Sequence, residues 1–261
     1  MRVVANLSTM YQGVELLERY EKAAAAGFRL VEVALPYICP AESLKKKADQ
    51  NGLRHVLINA PSVVFLGDFK KGFRGIAALP NMLSEFPRSV ESAIHYANIL
   101  DCKKIHVMAG IAPDSPENTA TFKENIRFAS REFAKEGIMC LIEPINPITI
   151  PGYFLSTYEQ AVGVINELNE PNLKLQFDVF HAQQICGRLT KTISDLAKLI
   201  GHVQVAQVPD RHEPDSDGEI DYKYIFSVLK KHGDWAIGCE YIDQPDVASN
   251  LNWILQYHLS F

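Results

Sequence analysis

Short apolar runs and longer amphipathic stretches take turns along this chain, the pattern expected of βα units wrapped around a parallel sheet. Residues 2–6, 30–35, 54–59, 104–108, 139–143, 174–178, 202–206 and 235–240 read as strands, because each is a brief, nearly continuous apolar run. Residues 14–26, 42–50, 89–100, 119–135, 157–168, 191–200, 222–231 and 247–257 read as helices, with apolar positions at helical spacing. Gly27, Gly52, Gly137, Gly201 and Gly233 each fall between a helical stretch and the next strand, where a left-handed closing residue is wanted. Eight such repeats in 261 residues average roughly 33 each, which suits a closed barrel of about 250 residues. The expectation is an α/β chain forming a single (β/α)8 TIM barrel, with residues 1–261 as one domain. A doubly wound open sheet is the alternative, but no Gly-x-Gly-x-x-Gly turn follows the first strand to support it.

Two stretches break the rhythm. Residues 60–86 are too long and too rich in glycine for a minimal connection and follow the third strand, on the expected catalytic face. They are read as a lid or as a surface insertion with one apolar patch. Phe65, Phe69, Phe73 and Phe86 would then cover a pocket or support a homo-oligomer interface. The second stretch, residues 208–220, is a polar loop after the seventh strand.

Composition narrows the partners. The chain is 47% hydrophobic and 22% charged, with a formal net charge of -5 and no basic stripe, so nucleic acid is not an expected partner. Nowhere do eighteen apolar residues follow one another, and the first residues lack a signal-peptide core, so no membrane association is expected. The five cysteines lie far apart, giving neither a disulfide framework nor a Cys-x-x-Cys metal site, which fits a reducing, cytoplasmic location.

The chemistry is suggested by how the strands end. Leu-Ile-Glu143, Gln-Phe-Asp178 and Gly-Cys-Glu240 each close an apolar run with an acid, and Gln204 adds an amide on the seventh strand. In a (β/α)8 enzyme these ends converge on one face, and acids gathered there repel one another unless a cation joins them. Carboxylate and amide oxygens without thiolate suit Mg2+ or Mn2+. The competing reading of any one acid is a helix cap or an ion pair with Lys or Arg. His106 ends the fourth strand and points either into the barrel or outward, according to register. Arg211, in the polar loop, either grips a substrate carboxylate through its guanidinium fork or pairs with Glu213 or Asp215. Glu219 and Asp221 read as the start of the next helix. Lys45, Lys46 and Lys47 read as a solvated helix face, and Cys239 as a buried structural thiol.

Four segments together carry a resemblance. Ile-Glu143-Pro-Ile-Asn146, Phe-Asp178-Val-Phe-His181, His202-Val-Gln204-Val-Ala-Gln207 and Gly-Cys-Glu240-Tyr resemble motifs of the hydroxypyruvate isomerase family, within the xylose isomerase-like barrels. The likeness begins at Ala-Asn-Leu-Ser in the first strand and runs through Val-Glu-Val-Ala-Leu-Pro-Tyr of the second. It implies an aldose-ketose type isomerase that interconverts hydroxypyruvate and 2-hydroxy-3-oxopropanoate (tartronate semialdehyde). It also implies Glu143 and Glu240 as the proton donor and acceptor, the same two with Asp178 and Gln204 as holders of the divalent metal, and His181 as a contact to substrate oxygens. Gln204 stands where sugar epimerases of the superfamily carry His, which favours the hydroxypyruvate isomerase branch. An epimerase or isomerase of a longer ketose or sugar acid is the alternative with the same site. Two other readings have less support: an endonuclease-like barrel, which needs several zinc-binding histidines and a basic surface, and a barrel without activity that serves as a binding protein.

Overall fold

The computed structural model describes residues 1–61, 74–242 and 251–261. Eight strands form a closed barrel in sequence order, β1 (Val3–Asn6), β2 (Leu30–Val33), β3 (Arg54–Asn59), β4 (Lys104–His106), β5 (Met139–Ile142), β6 (Leu173–Asp178), β7 (Ile200–Val205) and β8 (Ile237–Cys239). Every pairing is parallel, and β1 closes the ring on β8. The (β/α)8 expectation is thus what the structure shows, and each predicted strand overlaps its observed counterpart.

The helices are α1 (Leu16–Ala25), α2 (Ala41–Gln50), α3 (Phe86–Leu100), α4 (Pro116–Lys135), α5 (Tyr158–Leu168), α6 (Val179–Ile185), α7 (Leu189–Leu196), α8 (Tyr222–His232) and α9 (Asn252–Gln256). Local chemistry starts several of them. Ser115 accepts a hydrogen bond from the Asn118 amide with Pro116 beside it, Thr157 and Gln160 cap each other reciprocally, and Asp221 accepts from the Tyr224 amide. The helices lay aromatic residues against the barrel, among them Tyr20, Phe122, Phe133 and Phe226, and Trp253 stacks on Phe226 with ring centroids 5.9 Å apart.

Several expectations need adjusting. The short helix α6 is absent from the sequence reading, because its first turn, Val-Phe-His-Ala, continues the apolar run of β6 without a break. Asp178 ends the strand by accepting the Phe180 amide and so starts that helix. Gly27, Gly52 and Gly137 do close helices with positive φ, but Gly201 lies inside β7 and Gly233 is extended at φ -175°. Phe86 is buried as the first residue of α3 and neither covers the pocket nor stands on the surface. Residues 62–73 of the predicted lid, with Phe65, Phe69 and Phe73, lie outside the described residues. Lys45 and Lys47 face solvent in ion pairs with Asp49 and Glu21, and Cys239 is buried.

Candidate active site

Barrel strands place alternate side chains in the interior, so a polar residue two positions before another polar residue shares its face. Lys104 and His106, Gln176 and Asp178, and His202 and Gln204 are three such pairs on β4, β6 and β7. Of these, His106, Gln176 and Gln204 line a cavity of about 250 Å3 at the C-terminal ends of the strands.

The predicted residues meet at this cavity. Glu143 follows β5 and is buried, with Oε2 accepting from Gln176 Nε2 at 2.9 Å. Its Oε1 has no hydrogen-bond partner among the described residues, although it is buried. Burial first, then the charges of Glu240 and Asp178, push the Glu143 carboxyl well above the usual carboxylate range. Asp178 is wholly buried at the end of β6, and burial pushes it up to about 6 against the opposing pull of Arg211. Glu240 follows β8 with its side chain 19% exposed, and burial together with Asp178 pushes it up to about 8 in spite of Arg211.

Arg211 reaches in from the polar loop with a left-handed backbone, φ 59°. Its Nη2 lies 3.1 Å from Glu240 Oε2 and 3.4 Å from Asp178 Oδ2, and its guanidinium covers the Phe180 ring at 4.8 Å. The alternative pairing with Glu213 or Asp215 gives way to this one because the loop folds inward. Gln207 ties both sides of the loop together through the Val208 and Ile220 amides and the Ser216 and Ile220 carbonyls.

His181 lies in α6, and Asn146 sets its tautomer. Asn146 Oδ1 accepts the Ile148 and Thr149 amides, which turns the Asn146 side-chain NH2 toward His181 Nδ1 at 2.6 Å. An Nδ1 that accepts leaves the ring proton on Nε2, 3.6 Å from Asp178 Oδ2, and burial holds the ring neutral. His106 points into the barrel, which settles its register. Its Nδ1 lies 3.7 Å from Glu143 Oε2, both ring nitrogens lack hydrogen-bond partners among the described residues, and burial pulls it down to about 3.

Ligand atoms of Glu143, Asp178 and His181 lie within 4.8 Å of one another, close enough to hold a metal ion. The unpartnered Glu143 oxygen and the neighbouring Asp178 and Glu240 carboxylates form a hard, all-oxygen donor set that such an ion fits. Gln204 is more constrained: its Nε2 donates to Glu32 Oε1 at 2.8 Å, and its Oε1 accepts from Gln176 Nε2 at 2.7 Å, leaving one lone pair for a cation.

The sequence reading missed Glu32, Asn6, Gln176 and Arg74, all of which line the cavity. Glu32 is 1% exposed in the middle of β2, yet its oxygens meet Asn6 Nδ2 at 2.9 Å, Gln204 Nε2 at 2.8 Å and His202 Nε2 at 2.7 Å. Gly238 makes room for it, since a Cβ there would come within 2.5 Å of Glu32 Oε1. The available signal was a lone acid in an otherwise apolar strand, and for Gln176 its place two residues before Asp178.

Comparison with known proteins agrees with the fold. Residues 20–257 match the family described as "Xylose isomerase-like TIM barrel". A Caenorhabditis elegans protein named "Putative hydroxypyruvate isomerase" is 47% identical over 264 residues, covering 100% of this chain and 98% of that protein. A Cupriavidus necator protein named "2-oxo-tetronate isomerase" is 41% identical over 260 residues, covering 98% of each. A solved structure described as "AP endonuclease, family 2" from Brucella melitensis is 42% identical, with a TM-score of 0.92 over 98% of each chain. No helix among the described residues is long and apolar enough to cross a membrane. The chain belongs to the xylose isomerase-like TIM barrel family.

Proposed function

We propose that this chain is an isomerase that moves a carbonyl by one carbon in a small 2-oxo acid, interconverting hydroxypyruvate and 2-hydroxy-3-oxopropanoate. The observation that carries this reading is the pair Glu143 and Glu240, at the ends of β5 and β8, lining one small cavity with both carboxyl groups raised above the usual carboxylate range, Glu240 to about 8. Shifting the carbonyl requires taking the proton from carbon 3 and delivering one to carbon 2, and a carboxyl raised to about 8, as at Glu240, exchanges a proton near the working pH. Between them the two glutamates take and return this proton. His181, neutral and protonated on Nε2, donates a hydrogen bond to a substrate oxygen. Arg211 keeps Glu240 and Asp178 together.

Glu143, Asp178 and Glu240, with the free lone pair of Gln204, would hold Mg2+ or Mn2+. When bound, such a cation polarises the substrate's carbonyl and hydroxyl oxygens and holds the carboxylates in their charged form. Turning His181 into a fifth ligand would require its proton on Nδ1, where Asn146 already donates, so we keep His181 for the substrate.

A second reading, isomerisation of 2-oxo-tetronate, is favoured by the Cupriavidus necator relative. A proton NMR time course in deuterated buffer tests both. Protein stripped with a chelator, then given Mg2+ or Mn2+, is expected to convert hydroxypyruvate to the aldehyde isomer only after metal is added, with deuterium entering at the exchanging carbon. Conversion of the four-carbon acid alone would select the second reading, and conversion undiminished by chelator would remove the metal.

A further inference from the structure

The cavity is strongly acidic. Glu32, Glu143 and Glu240 line it, with Asp178 buried behind Arg211, against Arg211 and Arg74. A 2-oxo acid brings another negative charge, and beyond the divalent cation that the carboxylates would hold, placing that charge calls for a side-chain cation with capacity to spare. Arg211 does not have that capacity, because its guanidinium already faces two carboxylates and lies against Phe180. Arg74 has no ion pair among the described residues and lines the same cavity from its exposed rim.

The backbone beside Arg74 is fixed rather than adaptable. Gly75 makes an antiparallel bridge to Ala109, beyond β4, and the Ala78 amide donates to the Ala109 carbonyl at 2.7 Å. Gly75 has φ +103°, and a Cβ there would collide with the Met108 carbonyl, so this approach is open only to glycine. The rim is therefore anchored to the segment after β4, and Arg74 stands at one end of the cavity while Glu143 and Glu240 act within it.

We propose that Arg74 binds the substrate carboxylate and selects 2-oxo acids over neutral hydroxyketones. This rests on the isomerase reading above. A guanidinium suits the task because its two parallel N–H groups match a carboxylate's oxygens. Held there, carbon 1 faces the rim, and carbons 2 and 3, where the proton moves, face the two glutamates.

The test is steady-state kinetics of the full chain with saturating Mn2+, comparing wild type, Arg74→Gln and Arg74→Lys. Arg74→Gln is expected to raise KM for hydroxypyruvate roughly 10- to 100-fold, the range of a charged hydrogen-bonded contact, with kcat changed far less. Arg74→Lys is expected to recover part of that loss. The inhibition constant of dihydroxyacetone, which has the same hydroxyketone group without the carboxylate, is expected to stay within about twofold, since charge and not cavity shape has changed. An unchanged KM overturns the assignment, and so does a parallel loss of dihydroxyacetone binding, which would point to a collapsed rim. If wild type itself converts neither hydroxypyruvate nor 2-oxo-tetronate, the isomerase reading fails and takes this one with it. An active wild type beside an unaffected Arg74→Gln variant removes Arg74 alone.

Discussion

Two glutamates inside the same barrel face opposite fates. Glu32 on β2 and Glu143 after β5 are 1% and 4% exposed, and the amides of Gln204 and Gln176 run between them. Glu32 is fully engaged, with Asn6, Gln204 and His202 on its two oxygens, and Lys104 approaches His202 Nδ1 from below at 3.5 Å. Among the described residues Glu143 has a single hydrogen bond and an oxygen without a partner, and two further acids press on it. A buried charge that is satisfied holds structure in place, whereas one left short of partners is available to a proton, a metal or a substrate. The β1–β4 half therefore supplies a fixed support, and the β5–β8 half supplies the reactive groups that it positions.

Substitution by glutamine should separate these roles. Glu143→Gln is expected to lower kcat by about 10^2- to 10^4-fold, the range of a lost general acid or base, while the metal-free protein melts no lower than wild type, because burial and the neighbouring acids already disfavour the charged carboxyl and glutamine is neutral. Glu32→Gln removes the carboxylate that holds Asn6, Gln204 and His202 by buried hydrogen bonds, which costs about 1.5–3 kcal/mol, and at roughly 2–4 °C per kcal/mol in a chain of this size the melting temperature falls by roughly 3–12 °C. Thermal unfolding alongside NMR turnover reads both. Equal destabilisation by the two variants would erase the distinction.

The difference also explains what the sequence revealed. The acids of the β5–β8 half stand at the ends of apolar runs, so Glu143, Asp178 and Glu240 were visible as residues out of place, and the barrel was legible from its repeats. Glu32 lies mid-strand, where a single acid between valines has no local cue to its partners, and those partners, His202 and Gln204, are 170 and 172 residues away. Arg211 was visible as a candidate, but its pairing depends on how the 208–220 loop folds back. Arg74 has no sequence pattern at all. Its placement follows from a glycine whose required conformation appears only when the chain meets Met108 and Ala109 in space.

A smaller perturbation sharpens the comparison from the side of the support. Gly238→Ala would place a methyl 2.5 Å from Glu32 Oε1 and 2.8 Å from Gln204 Cγ, on strand backbone that has no unusual φ. Overpacking of this kind costs about 1–3 kcal/mol, and the displaced carboxylate takes with it the hydrogen bond that turns Gln204. The expected result is a lower melting temperature together with weaker Mn2+ binding, measured by calorimetry. A variant with lowered stability but wild-type metal affinity would show that Glu32 supports the fold without orienting Gln204.

The smallest effect is electrostatic and has a definite sign. Glu240 rises from 4.5 to about 8 on folding, so the folded metal-free protein holds its proton more tightly than the unfolded chain does. The stability linked to that proton is complete below the unfolded value and is lost as pH rises through 8. His106, His181 and His202 are all lowered by burial, so they weaken the fold only below about 6.5, leaving the alkaline side of neutrality to Glu240 and to Glu143, whose carboxyl is raised in the same direction. Between about pH 6.5 and 8.5 the melting temperature of metal-free protein is expected to fall by a few degrees. Glu240→Gln should flatten that slope, and so should saturating Mg2+ or Mn2+, because a bound cation offsets the charge that deprotonation creates. A slope of opposite sign, or one equally steep in Glu240→Gln, would assign the lost proton to another group and return Glu240 to the role of an ordinary partner of Arg211.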